Sequence, residues 1–149
     1  MTASTFASLG LPQEQLDNLQ QMGYEQMTEI QQQALPAALE GKDVLAQART
    51  GSGKTAAFGI ALLSRINPRF FGAQTLIMCP TRELATQVAT EIRKLARFQQ
   101  NIKVVTLCGG MPIGPQIGSL EHGAHIVVGT PGRIKDHLRK QTLDISQIN

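Results

Sequence analysis

The residues with the clearest chemical potential lie in segment 48–55, Ala-Arg-Thr-Gly-Ser-Gly-Lys-Thr, which follows a short apolar run and leads into a helical pattern. Gly51 and Gly53 let the backbone turn its amide hydrogens towards an anion, and the N-terminus of the next helix adds positive potential. Lys54 can reach the β- and γ-phosphates of a nucleotide, and the Thr55 hydroxyl can bind Mg²⁺. The segment therefore predicts a triphosphate site in which Lys54 and Thr55 are the catalytic residues.

A simpler alternative for this segment is a glycine-rich turn with a solvent-exposed lysine. The strict phosphate-binding pattern begins with glycine, and Ala48 stands in that place. The strand pattern before the segment, the helix pattern after it and both inner glycines nevertheless favour the triphosphate site.

The elements that must position these residues alternate along the chain after residue 42. Short apolar runs followed by helical patterns are typical of an α/β fold with a mostly parallel sheet flanked by helices. Ligands of such sheets bind beyond the carboxyl ends of the strands. The predicted strands are 43–48, 75–79, 103–108 and 125–129. The predicted helices are 54–65, 84–98, 115–122 and 132–140.

Residues 1–41 show a separate helical pattern. Gly23 ends the first apolar stripe, and Thr28 is placed to begin a second helix. Pro36 should kink or split that second helix, because proline lacks the backbone N–H that an interior turn uses. We therefore expect a helical segment 1–41 followed by an α/β domain over 42–149.

The charges divide along the same line. Residues 1–41 hold five acidic and no basic residues, whereas 42–149 hold all 14 basic residues and six acidic ones. A basic body indicates a polyanionic partner, nucleic acid first. The alternative is that an acidic segment packs on a basic body and that the net charge of +3 is ordinary.

Several classes of protein are excluded by what the sequence lacks. No apolar run approaches the ~20 residues of a membrane helix, and the N-terminus lacks the basic start of a secretory signal. Cys79 and Cys108 form neither a disulfide framework nor a metal-ligand spacing, so we expect buried thiols. The three histidines show no ligand spacing either. A cytoplasmic protein without a membrane anchor is the expectation.

Five motifs in a fixed order resemble those of the DEAD-box RNA helicases. Segment 48–55 matches the phosphate-binding motif of that family, with Arg49 where glutamine is usual. Segment 23–31, Gly-Tyr-Glu-Gln-Met-Thr-Glu-Ile-Gln, is similar to the Q motif, and Phe6 is its upstream aromatic residue. The other similarities are Pro80-Thr81-Arg82-Glu83-Leu84 to motif Ia, Gly109-Gly110 to the GG motif and Thr130-Pro131-Gly132-Arg133 to motif Ib. The resemblance implies a RecA-like P-loop domain preceded by Q-motif helices.

The resemblance further implies ATP as the nucleotide, bound with Mg²⁺. The carboxamide of Gln31 has a donor edge and an acceptor edge, which fits the adenine N6 and N7 groups and rejects guanine, and Phe6 could stack on the base. Two alternatives stay open: Thr28 and Gln31 also form a capping box, and Phe6 could simply pack in the core. The implied ATP-binding residues are Phe6, Thr28, Gln31, Ala48, Arg49, Thr50, Gly51, Ser52, Gly53, Lys54 and Thr55.

The remaining motifs are where the family binds the RNA backbone. Arginine matches phosphate oxygens bidentately, and such contacts position a strand without reading its bases. Taken singly, Thr81 could be a helix cap and 130–132 an ordinary turn. The implied RNA-binding residues are Pro80, Thr81, Arg82, Gly109, Gly110, Thr130, Gly132 and Arg133.

The catalytic set implied by the resemblance is incomplete in residues 1–149. The sequence contains no Asp-Glu-Ala-Asp, and phosphoryl transfer needs an acidic residue for Mg²⁺ and a group that orients water. We expect a truncated first RecA-like lobe that does not hydrolyse ATP alone and that self-associates through exposed apolar surface. The parent would be an ATP-dependent RNA helicase with a second RecA-like lobe, and ribosomal RNA is its implied substrate. Another P-loop enzyme such as a kinase, or a non-catalytic RNA-binding module, stays open.

Overall fold

Parallel strands and helices alternate from residue 75 onwards, as the α/β pattern predicts, and three α-helices precede them among the described residues. A computed structural model describes residues 5–47 and 53–148. The helices are α1 Gln13–Gln21, α2 Glu29–Leu39, α3 Lys54–Leu63, α4 Arg82–Leu95, α5 Ile113–Glu121 and α6 Pro131–Arg139. The strands are β1 Thr75–Met78, β2 Val104–Leu107 and β3 Ile126–Gly129, and short 3-10 helices cover Phe6–Leu9 and Ala96–Phe98. No described helix has the length and apolarity needed to cross a bilayer.

Two compact units make up the chain. The first comprises Met1–Arg65 with Lys94–Phe98, and the second comprises Ile66–Arg93 with Gln99–Asn149. The first unit is built on the packing of α2 against α3, where Leu35 and Ile60 are fully buried.

The helix α2 continues through Pro36, so the predicted split is wrong. Proline removes only one hydrogen bond from the helix, while the residue before it, Leu35, is fully buried. An interior proline costs about 3 kcal/mol, and burial of one leucine side chain contributes about 1.5–3 kcal/mol, so the packing of Leu35 together with Ala34 is of the size needed to keep the helix continuous.

The second unit contains a parallel sheet of three strands in the order β1-β3-β2. Met78 pairs with Gly129, and Leu107 pairs with the same glycine, so all three strands end at one level. Only the central strand β3 is buried along its whole length, whereas Met78 of the edge strand β1 is 62% exposed. The apolar runs predicted that every strand is buried on both faces. Within the described sheet this prediction is confirmed only for β3, which has a neighbouring strand on each side.

The predicted strand 43–48 is wrong over its described part. Residues 43–47 form no strand and are exposed, with Leu45 at 95%. A strand gains its hydrogen bonds from a neighbouring strand, and no strand among the described residues pairs with this segment. The segment has the apolar residues of a strand, but it has no partner strand within the described residues.

The core of the second unit lies between the sheet and α6. Leu107, Val127 and Ile134 belong to one buried cluster. Gly129 lies in the middle of it, and a Cβ at that position would be 2.5 Å from the Leu107 carbonyl oxygen and 3.0 Å from Ile134 Cδ1. The 2.5 Å contact with a backbone oxygen essentially never occurs for a real Cβ atom, so glycine at this position allows β2 and β3 to approach this closely, with the Ile134 side chain packed tightly above.

Candidate functional site

The N-terminus of α3 carries the described part of the phosphate-binding segment. Gly53 has φ 92°, a left-handed conformation that favours glycine, and its carbonyl oxygen accepts the first helical bond from the Ala57 amide at 3.0 Å. Lys54 and Thr55 are the first two residues of α3, and both are half-buried. The other predicted members, Ala48, Arg49, Thr50, Gly51 and Ser52, lie outside the described residues.

Gln31 joins the Q-motif helix to this segment. Its side chain is fully buried, and its Oε1 accepts from the Thr28 backbone N–H at 2.9 Å. The backbone N–H of Gln31 donates to Thr28 Oγ1 at 3.4 Å, so the capping box is present. The same carboxamide donates through Nε2 to the Gly53 carbonyl oxygen at 3.2 Å. The structure thus brings Thr28, Gln31 and Gly53 together, with both ends of the carboxamide occupied by protein.

Phe6 lies in the core of the first unit. The ring is 3% exposed and meets Tyr24 edge to face, with centroids 6.3 Å apart and planes at 61°. This arrangement favours the core-packing alternative. Stacking on a base would require the ring to be uncovered first.

The loops that follow the three strands lie side by side in the second unit. Thr81 Oγ1 accepts from the Leu84 amide at 3.2 Å and caps α4, which is the alternative expected for that residue. Thr130 does not cap α6 with its side chain. Instead its Oγ1 accepts from the Gly109 amide at 3.1 Å. The end of β2 and the start of α6 are therefore tied together.

Two arginines from the first turns of α4 and α6 converge on Met111. Arg82 Nη1 lies 3.7 Å from Met111 Sδ, and Arg133 Nη1 donates to the Met111 carbonyl oxygen at 2.7 Å. Gly110 has φ 81°, a left-handed turn that starts this loop. Met111 is half exposed, whereas the Arg133 side chain is only 14% exposed, so the two guanidinium groups flank one accessible loop at the carboxyl edge of the sheet.

Sequence reasoning missed a buried polar network behind Arg133. Gln116 Oε1 lies 3.2 Å from Arg133 Nη1 and 2.9 Å from His137 Nε2. His137 is fully buried, and its Nδ1 lies 2.8 Å from Thr142 Oγ1. Burial lowers the pKa of His137, with a further lowering from the Arg133 charge and an opposing effect of Asp136. The available signal was that His137 follows Ile134 by one helical turn and therefore shares its buried face.

Cys79 and Cys108 follow β1 and β2 and are both free, buried thiols, as expected. Burial raises the pKa of Cys79, and the neighbouring Cys108 adds to the increase. Burial also raises the pKa of Cys108, although the Arg82 and Arg133 charges work in the opposite direction. Both sulfurs are therefore protonated at neutral pH, and we expect them to react slowly.

No group of three or more metal-ligating side chains occurs among residues 5–47 and 53–148. Mg²⁺ is usually held by one or two protein oxygens together with phosphate oxygens and water. The Thr55 hydroxyl, at the N-terminus of α3, fits the part of one such ligand.

The sequence profile of the DEAD/DEAH box helicase family matches residues 28–149. The ATP-dependent RNA helicase DbpA of Escherichia coli K12 is 57% identical over 150 residues, which cover 100% of this chain and 32% of that protein. The ATP-dependent RNA helicase DeaD of Klebsiella pneumoniae is 46% identical, over 98% of this chain and 23% of that protein. The chain therefore spans a third or less of the length of these two relatives.

Solved structures show the same similarity. A DEAD box protein from the hyperthermophile Methanococcus jannaschii matches 98% of this chain and 40% of its own, with a TM-score of 0.92 and 43% identity. Saccharomyces cerevisiae Dbp5 L327V bound to RNA and ADP BeF3 matches 98% of this chain and 37% of its own, with a TM-score of 0.87 and 31% identity. Since the profile covers most of its length and the fold agrees, this chain belongs to the DEAD/DEAH box helicase family.

Proposed function

We propose that residues 1–149 are the first RecA-like lobe of an ATP-dependent RNA helicase, with residues 1–41 as its Q-motif segment and 42–149 as part of its ATP-binding domain. Family membership supports this proposal, as do the names of the E. coli and K. pneumoniae relatives. The parent protein would couple ATP hydrolysis to the separation of RNA duplexes in the cytoplasm, with ribosomal RNA as the substrate class. An Asp-Glu-Ala-Asp segment, which residues 1–149 do not contain, together with a second lobe would complete the catalytic set, so residues 1–149 alone would not turn over ATP.

The nucleotide triphosphate would be held by segment 48–55. Support comes from the left-handed Gly53 and from the N-terminus of α3, which directs positive potential towards an anion. Lys54 would bind the β- and γ-phosphates, and Thr55 would hold Mg²⁺, which neutralises phosphate charge when bound.

Adenine would be recognised by Gln31 after an exchange of partners. In this structure the carboxamide is occupied by Thr28 and Gly53. An adenine offers the same pair of functions, one donor and one acceptor, so the carboxamide keeps its number of hydrogen bonds in the exchange. Phe6 would stack on the base only in a state that uncovers its ring.

RNA would bind at the carboxyl edge of the sheet. The observation that carries this part of the proposal is the convergence of Arg82 and Arg133 on Met111, where the aligned strands end. Guanidinium groups bind phosphate oxygens bidentately. Pro80, Thr81, Gly109, Gly110, Thr130 and Gly132 would bring backbone amides and hydroxyls to the sugar and phosphate.

The RNA site is tested by fluorescence anisotropy with a labelled single-stranded RNA over a series of salt concentrations. Arg82→Ala and Arg133→Ala should each weaken binding and reduce the slope of log K against log salt by about 0.7, the value for one phosphate contact on a single strand. Arg69→Ala is the matched control, because the exposed Arg69 precedes β1 and lies at the opposite end of the strand. Equal effects of all three variants would contradict the proposed site.

The nucleotide site is tested by calorimetry with ATP and GTP in the presence of Mg²⁺. Lys54→Ala should abolish the heat of ATP binding, and the exposed Lys42→Ala should leave it unchanged. Turnover is then compared for residues 1–149 and for a protein extended through a second lobe. RNA-stimulated turnover only in the longer protein supports the helicase. Turnover without RNA stimulation would favour another P-loop enzyme, and RNA affinity indifferent to Lys54→Ala and ATP would favour a simple RNA-binding module.

A further inference from the structure

A chain of buried hydrogen bonds contacts the Arg133 guanidinium group. The donor and the acceptor of each bond follow from the chemical groups at its two ends. Gln116 Nε2 lies 3.0 Å from the Cys108 carbonyl oxygen, which only accepts, and Gln116 Oε1 lies 3.2 Å from Arg133 Nη1, which only donates. The carboxamide therefore has one possible orientation. Its oxygen faces Arg133 and His137 together.

This orientation determines the tautomer of His137. Because Gln116 Oε1 accepts, the His137 Nε2 at 2.9 Å must carry the proton. Nδ1 of the neutral ring is then an acceptor, and Thr142 Oγ1 lies 2.8 Å from it and 3.2 Å from the His137 carbonyl oxygen, so the single hydroxyl hydrogen has two acceptors on His137, of which Nδ1 is the nearer. Gln116 is 8% exposed and His137 is fully buried, so both side chains are enclosed by protein.

The network uses one end of the Arg133 guanidinium. Nη1 donates to the Met111 carbonyl oxygen at 2.7 Å and to Gln116 Oε1 at 3.2 Å, which accounts for both of its hydrogens. Nε is buried 3.6 Å from Asp136 Oδ2. Within the described residues the hydrogen bonds of this side chain come from Nη1, so Nη2 is the group left to meet a phosphate oxygen.

We propose that Gln116 and His137 are positioning residues that hold Arg133 ready for RNA. The proposal rests on the RNA-binding function proposed above. A mobile arginine side chain loses much rotamer freedom when it binds a ligand. A guanidinium group that is already held in place loses less. Gln116 and His137 themselves are buried and do not touch the RNA; they act through Arg133.

The test is a double-mutant cycle on the affinity for single-stranded RNA. Gln116→Met keeps the length of the side chain but removes the acceptor, and it should weaken binding by about threefold to tenfold. In the Arg133→Ala background the same change should have almost no effect, because nothing is left to position. Gln100→Met, at an exposed site, is the control. Effects of Gln116→Met and Arg133→Ala that simply multiply would overturn the proposal.

A second comparison separates positioning from simple support of the core. His137→Gln keeps a donor where the ring Nε2 lies, and it should retain most of the RNA affinity. His137→Leu removes that donor and should weaken binding as much as Gln116→Met does, with the exposed His122→Leu as control. Equal affinity of His137→Gln and His137→Leu would also overturn the proposal. Circular dichroism establishes that each variant is folded, and if His137→Leu does not fold, the cycle between Gln116 and Arg133 decides.

The failure of this inference differs from the failure of the proposed function. If the unmodified chain shows no salt-dependent RNA binding, or if Arg133→Ala has no effect, the RNA site itself is wrong. If Arg133→Ala weakens binding but Gln116→Met acts independently of it, only the positioning role is wrong.

Discussion

The Nε2 group of Gln31 donates a hydrogen bond to the carbonyl oxygen of Gly53 at 3.2 Å, across 22 residues of sequence. This bond links the N-terminus of α2 to the N-terminus of α3. Two short-range bonds to Thr28 hold the same side chain in place. The Q-motif glutamine is therefore part of the protein's own structure as well as a candidate for binding a base.

Gln31→Glu tests this link without removing the cap. The new carboxylate still accepts from the Thr28 amide, but it places an acceptor opposite the Gly53 carbonyl oxygen. We expect the free energy of unfolding in urea to fall by about 1–3 kcal/mol, the cost of an unsatisfied buried polar group. The loss should shrink at acidic pH, where a protonated carboxyl can donate again. Gln20→Glu, at an exposed site of α1, should show neither effect.

Gly53→Ala and Gly23→Ala separate backbone strain from steric collision. Both glycines have positive φ, 92° and 88°, so alanine at either costs about 1–2 kcal/mol. A Cβ on Gly23 meets nothing within 4 Å, whereas one on Gly53 would lie 2.5 Å from Gln31 Nε2 and 3.0 Å from Thr28 Oγ1. We expect Gly53→Ala to lower stability by about 1–3 kcal/mol more than Gly23→Ala, measured by urea unfolding. Equal losses would show that Gln31 yields freely.

Thr130→Val tests the link between the loops that follow β2 and β3. The substitution keeps the shape of the side chain but removes the acceptor of the Gly109 amide. We expect a loss of about 1 kcal/mol in stability and a few-fold weaker affinity for single-stranded RNA. Thr90→Val removes an exposed hydroxyl that bonds only within α4, and it should change neither quantity. Unchanged hydrogen exchange at the Gly109 amide in Thr130→Val would contradict the interpretation.

The decrease in the free energy of unfolding at mildly acidic pH should depend on His137. Its pKa is lowered in the folded chain, chiefly by burial and then by Arg133, so the unfolded chain binds the proton more readily. Stability is therefore fully present above the ordinary histidine pKa of 6.5 and falls as the pH drops below it. One proton contributes at most about 1.4 kcal/mol per pH unit. Urea unfolding between neutral and mildly acidic pH should show a smaller slope for His137→Gln than for the unmodified chain.

The two thiols should be slow to react until the chain unfolds. The pKa of both Cys79 and Cys108 is raised from 9.0, mainly by burial. The unfolded chain loses these protons first as the pH rises, so stability should decline above that pH. A colour reagent for thiols should modify the native chain many-fold more slowly than the chain in urea. Rapid modification of the native chain at neutral pH would contradict this expectation.

Local patterns predicted most of the elements correctly. The strands at 75–78, 104–107 and 126–129 and the helices between them are confirmed within a few residues. Such elements follow from periodicity and from turn residues, which act within one segment.

Features that depend on distant residues were not predictable in the same way. The exposed segment 43–47 has the apolar character of a strand, but strand formation depends on a pairing partner that a local pattern does not contain. The Gln116–Arg133 contact joins side chains 17 residues apart, on different helices. The capping box of Thr28 and Gln31 was visible as an alternative, whereas the bond from Gln31 to Gly53 required the fold.

Gly129 has a consequence for how sequences of this type can vary. The two guanidinium groups, the Thr130 hydroxyl and the Gly109 amide are near one another because the strands beneath them are separated by a distance that leaves no room for one more carbon atom. A methyl group at residue 129 would separate the loops above it. Substitution at this buried glycine, which has no side chain to offer a ligand, would thus resemble a binding defect in an assay.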